Sequence, residues 1–323
     1  VLLTVLAIAG GVVLLAYAAD QFVLGAARVA LIRKISPLVV GVVIIGFGTS
    51  CPELLVSAIA AAGGQPEIAV GNVVGSNIAN LSLLLGVGAI IVPLAVASGT
   101  VRREAPITVA AMVAFALAVQ GGGVVWWEGL ALLAALAVAI WTVTTASPSG
   151  PAIDGVFASS DPLGPEAEEL ADVTHHSLRP EVLRTVLGLV GTIAGAQLLL
   201  WGAIDVADRI GLAEGFVGAT LVAIGTSLPE LVTVIQSARR GETDLIVGNL
   251  LGSNMFNALG VGGVMGLVGS SGLDAPSLTG FAVIFAIVVA LLAWLAMITR
   301  RTIGRFEGLA MVVGYGVMVP LLN

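Results

Sequence analysis

The chain has 323 residues, 58% hydrophobic and only 10% charged, where a soluble domain carries about 25% charge, so water is not its main solvent. A formal net charge of -7 argues against nucleic acid as a partner, since nucleic acid selects basic surfaces. One cysteine, Cys51, permits no internal disulfide and no zinc cluster, and both histidines, His175 and His176, lie in a single polar segment, which leaves no base inside a span to activate a serine.

Apolar runs between polar breaks predict an all-α membrane protein of ten transmembrane helices, near residues 3–27, 37–62, 69–95, 106–120, 125–146, 182–204, 214–238, 245–269, 278–298 and 306–321. The first stretch is itself the first span, so no signal peptide is needed to explain it. The shortest span, near 106, is expected to turn at Gly121, Gly122 and Gly123. Trp126, Trp127, Trp141, Trp201 and Trp294 fall near predicted span ends, where interfacial anchoring is the ordinary role. Membrane lipid is therefore an expected partner, and nothing in the sequence fixes an oligomeric state.

With ten spans the polar breaks alternate sides. Arg28, Arg33, Lys34, Arg102, Arg103, Arg179, Arg184, Arg239, Arg240, Arg300, Arg301 and Arg305 then share one side, and Arg209 stands alone on the other. By the positive-inside rule both termini lie outside and the segment 147–180 lies in the cytoplasm, with the plasma membrane as the expected location. That segment mixes Asp154, Asp161, Glu166, Glu168, Glu169 and Asp172 with Pro, Gly and Ser and reads as poorly ordered. Its acids lack the fixed spacing of a calcium loop, which favours a solvated linker over a regulatory calcium site.

Sliding the sequence on itself by 177 residues superposes Gly48-Thr49-Ser50-Cys51-Pro52-Glu53-Leu54 on Gly225-Thr226-Ser227-Leu228-Pro229-Glu230-Leu231. The same offset superposes Gly71-Asn72 on Gly248-Asn249, Gly75-Ser76-Asn77 on Gly252-Ser253-Asn254, and Asn80 on Asn257. An ungapped match over two spans marks an internal duplication. Equivalent spans are five crossings apart, an odd number, so the copies run through the membrane in opposite directions, as in many secondary transporters. The domain reading is a first five-helix half at 1–146, an acidic linker at 147–180, and a second, inverted half at 181–323.

Glu53 is the only charged residue between Lys34 and Glu67, and Glu230 the only one between Glu214 and Arg239. A carboxylate at mid-membrane costs at least a few kcal/mol and persists when a partner offsets it. The bland alternative is a protonated glutamate bonded to a neighbouring span. It is disfavoured because no lysine or arginine shares that depth and the acid occurs in both copies. Pro52 and Pro229 are expected to break their helices and free the carbonyls four residues back, at Gly48 and Gly225. Such carbonyls are tolerable in a bilayer only where they face protein, water or an ion.

Hydroxyls at Thr49, Ser50, Thr226 and Ser227 stand beside these breaks, and Ser76, Ser253, Asn80 and Asn257 add neutral oxygens from the next spans. Oxygen is what hard cations require, and calcium takes six to eight oxygens. Gly71, Gly75, Gly248 and Gly252 would let the spans approach closely, although small residues are also ordinary packing devices. Asp20 in the first span meets Gln197 under the offset. It reads as a polar group reaching the interface, with a role in sliding of spans one and six as the less favoured alternative. Asp205, Asp208 and Glu214 would attract cations only weakly, and Cys51 reads as packing.

At these motifs, with Gly71-Asn72-Val73-Val74-Gly75-Ser76-Asn77-Ile78-Ala79-Asn80, the chain resembles the cation/calcium exchanger superfamily, particularly its sodium/calcium exchanger branch. The resemblance implies a central calcium site made by Glu53, Glu230 and the carbonyls of Thr49 and Thr226. It also implies flanking sodium sites at Gly46, Thr49, Ser50 and Ser76 and at Ala223, Thr226, Ser227 and Ser253, with spans one and six sliding across the core. No cofactor is implied, and calcium and sodium are the transported ions. Some relatives carry an aspartate where this chain has Asn80 or Asn257, which bears on stoichiometry and any potassium requirement. Proton-coupled relatives tend to place an acid near the Gly-Asn element, which is absent here. The expected function is antiport of calcium against sodium by alternating access. A proton/calcium antiporter and a passive cation channel are the alternatives.

Overall fold

The computed structural model describes residues 2–33, 35, 37–145, 177–209, 223–269 and 278–318. In chain order these form α1 (Leu2–Arg33), then α2 (Pro37–Val40), which passes through a π-helical stretch Gly41–Gly46 into α3 (Phe47–Thr49). Next come α4 (Cys51–Ala62) and α5 (Pro66–Ala79), the latter continued by a π-helical stretch Asn80–Leu84 and α6 (Leu85–Ile91). After a two-residue strand β1 (Leu94–Ala95) follow α7 (Ser98–Arg102), α8 (Glu104–Val119) and α9 (Trp126–Thr145).

The chain resumes with α10 (Leu178–Arg209), α11 (Ala223–Thr226) and α12 (Leu228–Arg239). Then α13 (Thr243–Met255) passes through a π-helical stretch Phe256–Val261 into α14 (Gly262–Val268). Last come α15 (Val283–Arg300), preceded by π-helical Leu278–Ala282, then β2 (Thr302–Ile303) and α16 (Arg305–Met318). Both linker histidines and all six linker acids lie outside the described residues, as does Glu214.

Six helical stretches among the described residues are long and apolar enough to cross a membrane: Leu2–Arg33, Pro66–Ile91, Trp126–Thr145, Leu178–Gly202, Thr243–Val268 and Thr279–Arg300. Gly41–Thr49 with Cys51–Ala62 makes a seventh, bent by 48°. The spans expected near 106 and 306 are helical, with 16 residues and, among the described residues, 14, against the roughly 20 that a bilayer asks for. The protein is thus an all-helical, multi-pass membrane protein. The turn at Gly122 and Gly123 is present, both residues having positive φ.

The longest helices, α1 and α10, pack antiparallel. Thr4 donates to Asp205 at 2.5 Å near one end of the pair, and Arg28 meets Glu181 at 3.3 Å near the other. These two contacts are related by the 177-residue offset, Thr4 with Glu181 and Arg28 with Asp205. Between them a Cβ added to Gly11 would lie 2.8 Å from the Leu199 amide nitrogen, and one added to Gly195 would lie 2.6 Å from that of Leu15. The backbones touch, as small residues allow where no hydrophobic effect drives helices together in lipid.

The structure adds detail to two sequence expectations. Trp294 is turned toward α7, beside Arg102 and Arg103. It sits inside α15, partly buried, and its indole nitrogen donates to the Val101 carbonyl at 2.7 Å, because α15 continues beyond the predicted span end to Arg300. The other four tryptophans are exposed. The helices do break at Pro52 and Pro229 as expected, but each proline stands in the first turn of the helix that follows rather than inside one. The helix ends at Thr49 and a new one starts at Cys51, which puts Pro52 in a first turn, and Pro229 likewise stands in the first turn of α12. There the missing amide costs nothing and the fixed φ suits helix initiation. A short antiparallel pairing of Leu94 with Ile303 and Ala95 with Thr302 also had no sequence signal.

Candidate cation site

The two helix breaks meet at the centre of the molecule. Glu53 and Glu230 occupy the first turns of α4 and α12, where unpaired amides and the helix dipole favour a carboxylate by about 0.3–1 kcal/mol, and more when partly buried. Both glutamates are fully buried. Ser50 donates to Glu230 Oε1 at 3.1 Å, and Ser227 donates to Glu53 Oε1 at 3.1 Å. Each break thus supplies a hydroxyl to the carboxylate of the other.

The threonines cross over in the same way. Thr49 donates to Asn249 Oδ1 at 3.3 Å and to the Ile45 carbonyl at 3.0 Å, and Thr226 donates to Asn72 Oδ1 at 3.4 Å. Ser253 donates to the Gly46 carbonyl at 3.1 Å, and Ser227 reaches Ser76 at 3.5 Å. The grouping expected for the flanking sites therefore changes: Ser253 stands with Gly46 and Thr49, and Ser76 with Thr226 and Ser227. The cause is that each break faces the neighbouring span of the other copy. Ala223 opens α11, but its side chain lies outside those described.

Asn80 and Asn257 are buried where π-helical geometry replaces the α-helix, in Asn80–Leu84 and Phe256–Val261. Such wide turns occur often at functional sites because they re-aim side chains and loosen the carbonyl ladder. Asn80 Nδ2 donates to Asn254 Oδ1 at 2.9 Å, and Asn254 Nδ2 to the Asn77 carbonyl at 3.1 Å. Glu53 Oε2, Glu230 Oε2, Asn80 Oδ1 and both polar atoms of Asn257 find no hydrogen-bond partner among the described residues. Buried oxygens are ordinarily paired, so the oxygens of this set suit a cation that would satisfy them, whereas the Asn257 Nδ2 donor does not.

No ion pair among the described residues reaches either glutamate. Nor do three or more His, Cys, Asp or Glu side chains converge there. A divalent cation would draw two charges from Glu53 and Glu230 and its remaining oxygens from neutral groups.

Asn72 and Asn249 were legible as part of the repeat, but their role was not. Asn72 Nδ2 donates to the Glu53 carbonyl at 3.3 Å and to Ser57 at 2.9 Å while its Oδ1 holds Thr226. Asn249 Nδ2 donates to Thr233 at 3.0 Å, and Thr233 passes the contact on to the Glu230 carbonyl at 2.8 Å. Each amide ties one break to the other. The glycine expectation holds on one side only. A Cβ on Gly41 would lie 3.0 Å from Gly248, and one on Gly46 would lie 2.8 Å from the Ser253 nitrogen. At Gly71 and Gly75 no described atom stands within 4 Å of that position.

A family model described as sodium/calcium exchanger protein matches residues 3–145 and 181–322. The chain is 34% identical over 311 residues to CaxA of Alkalimonas amylolytica, covering 94% of each protein. To the sodium/calcium exchanger MaX1 of Methanosarcina acetivorans it is 27% identical over 337 residues, covering 97% of this chain and 96% of that one. Among solved structures, the sodium-calcium exchanger NCX_Mj soaked with 2.5 mM Na+ and 1 mM Sr2+ superposes with a TM-score of 0.84 at 29% identity, over 99% of this chain and 98% of that one. The family match brackets the linker and takes in both glutamate breaks, and on that ground the chain belongs to the sodium/calcium exchanger family.

Proposed function

We propose that the chain is a secondary active antiporter that exchanges calcium for sodium across a membrane by alternating access. Its working parts are two inverted five-helix halves, residues 1–146 and 181–323, ten transmembrane helices in all, joined by the 147–180 linker. The observation that carries this reading is the reciprocal pair Ser50 to Glu230 and Ser227 to Glu53, both at 3.1 Å. A site built from the same residues of two oppositely directed copies presents the same ligands to an ion arriving from either side.

Glu53 and Glu230 supply the charge that offsets the loss of an ion's hydration shell, and the carbonyls of Thr49 and Thr226 with the buried asparagine oxygens complete a calcium shell. Sodium is bound to one side by Gly46, Thr49 and Ser253 and to the other by Ser76, Thr226, Ser227 and the Ala223 carbonyl, with Ser50 facing Glu230. Two carboxylates balance one calcium ion or two sodium ions, so the two cargoes compete. The basic side carrying Arg239 and Arg240 faces the cytoplasm, with both termini outside, in the plasma membrane. Labelling of a single cysteine at Gln65 by an impermeant reagent on intact cells, in a Cys51→Ala background, checks that orientation.

Calcium-45 uptake into proteoliposomes tests the function. An outward sodium gradient should drive uptake, and its removal should stop it. Uptake driven equally well by a proton gradient without sodium would make the protein a proton/calcium antiporter. Uptake that follows the calcium gradient with no trans cation would make it a channel.

A further inference from the structure

Asp20 lies in the second half of α1, and Arg240 follows the last residue of α12. Arg240 Nη2 donates to Asp20 Oδ1 at 2.6 Å, and Nε donates to the same oxygen at 3.2 Å. One turn earlier on both helices, Gln236 Nε2 donates to the Ala16 carbonyl at 3.3 Å. Helix α1 is thus fastened to α12 at two successive turns. Gln236 is only 8% exposed.

The 177-residue offset gives the corresponding contact in the other copy. Asp20 becomes Gln197, Arg240 becomes Gly63, Ala16 becomes Ile193 and Gln236 becomes Ile59. Neither Gln197 nor Gly63 carries a charge. On that side α4 stands open, Ile59 being 71% and Leu55 60% exposed. Among the described residues, one copy has its long helix closed on it, and the other does not.

We infer that the Asp20–Arg240 ion pair is a latch on one access state, with no counterpart in the opposite state. The inference rests on the alternating-access reading. In an inverted-repeat carrier the second state is made by exchanging the roles of the copies, so α10 closes on α4 and brings Gln197 to Gly63 while α1 leaves α12. Closure there is uncharged. The latch therefore weights the resting equilibrium toward the state in which α1 covers α12. It gives Asp20 a function in helix sliding, and it makes that equilibrium sensitive to salt, because partly exposed pairs are screened.

A cross-linking assay tests the latch in proteoliposomes, on a Cys51→Ala background. A Gly63→Cys/Gln197→Cys pair treated with a bifunctional thiol reagent reports the opposite state. Asp20→Asn should speed that cross-link by about two- to five-fold, the range expected of a partly exposed pair. Arg240→Gln should do the same, and the two together should do no more than either alone. The charge-exchanged protein, Asp20→Arg with Arg240→Asp, should return the rate toward its starting value, a recovery that mere loss of packing would not give. A rate indifferent to both single substitutions, in protein that remains monodisperse, overturns the latch. A 63/197 pair that never cross-links under any combination of sodium and calcium, while an Asp20→Cys/Arg240→Cys pair does, overturns the exchange of roles between the copies and the latch with it.

Discussion

At the centre of the molecule, positions 177 residues apart do the same work. Ser50 and Ser227 donate to the opposite glutamate at 3.1 Å, and Thr49 and Thr226 each reach the asparagine of the other copy. Toward the rim the equivalence lapses. Asp20 binds Arg240 where Gln197 and Gly63 would stand, and Glu242 replaces the neutral Gln65. An ion must find the same ligands whichever side it enters from, so exchange constrains the centre. The rim sets how long each side stays open, and nothing requires its two versions to agree.

The largest expected effect tests whether the centre is functionally symmetric. Glu53→Gln and Glu230→Gln keep the side-chain volume and one oxygen but remove the charge facing the ion. Losing one partner of a buried charge pair costs about 3–5 kcal/mol, so each variant should lower sodium-driven calcium uptake by a hundred-fold or more. Near-normal uptake by either purified, monodisperse variant would remove that residue from the site and break the symmetry.

Next in size are the two asparagines that tie the breaks together. Asn72→Ala removes the hydrogen bonds that Asn72 makes with the Glu53 carbonyl, Ser57 and Thr226, each worth about 0.5–1.5 kcal/mol net. We expect the calcium concentration for half-maximal transport to rise about ten-fold, and Asn249→Ala to match it within a few-fold. A thermal midpoint that falls while the calcium requirement stays fixed would make these residues packing elements only.

Much of this was legible in the residue string. The duplicated Gly-Thr-Ser-x-Pro-Glu element located both carboxylates, because a charge in an apolar run has few reasons to recur at one offset. The span pattern located the helices to within a few residues where hydropathy changed sharply, as at Val119 and Trp126. Other features lacked a local signal. The π-helical geometry at Asn80 and Asn257 arises from tertiary packing, and the pairing of Asp20 with Arg240 joins residues 220 apart. The breaks at the prolines were legible, whereas the start of a new helix at Cys51 and Leu228, which puts each proline in a first turn, was not. The grouping of Ser253 with Gly46 depends on how two copies interleave, which an offset alone does not give.

The neutral asparagines offer a finer test of the centre. With Glu53 and Glu230 as the only charges that the described residues bring to the site, it is balanced by one calcium or two sodium ions, and exchange should be independent of potassium. A third sodium would leave the loaded carrier positive and voltage-sensitive, by about 2.3 kcal/mol per charge per 100 mV. Asn257→Asp should add dependence on pH or on an extra alkali cation. Wild-type exchange that stops when choline replaces potassium at constant sodium contradicts this reading. An Asn257→Asp protein unchanged in both dependences would reduce Asn257 to packing.

The smallest effect concerns the rim, at the turn where Gly241 takes a positive φ, as Gly64 does in the first copy. Burial pushes the Glu242 carboxyl up to about 6, with repulsion from Asp244 adding to the shift and Arg240 opposing it. Its folded-state value thus lies above the unfolded one near 4.5, so folding is favoured by protonation. That contribution is fully present below pH 4.5 and is lost as pH rises through 6. Glutamine, the residue found at the equivalent position 65, has no such penalty. Glu242→Gln should therefore stabilise the detergent-solubilised protein at pH 8 by about 1 kcal/mol once solvent screening is allowed for, read as a higher thermal midpoint. The gain should vanish at pH 4.5, where the wild-type carboxyl is largely protonated already. Equal midpoints at pH 8 would mean that Arg240 already offsets the buried charge in full. The same gain at both values would mean that glutamine stabilises the turn through its amide rather than through the missing charge. Only a gain confined to high pH makes the difference between Glu242 and Gln65 electrostatic, and it would show that the second copy accepts a charge at this turn which the first copy avoids.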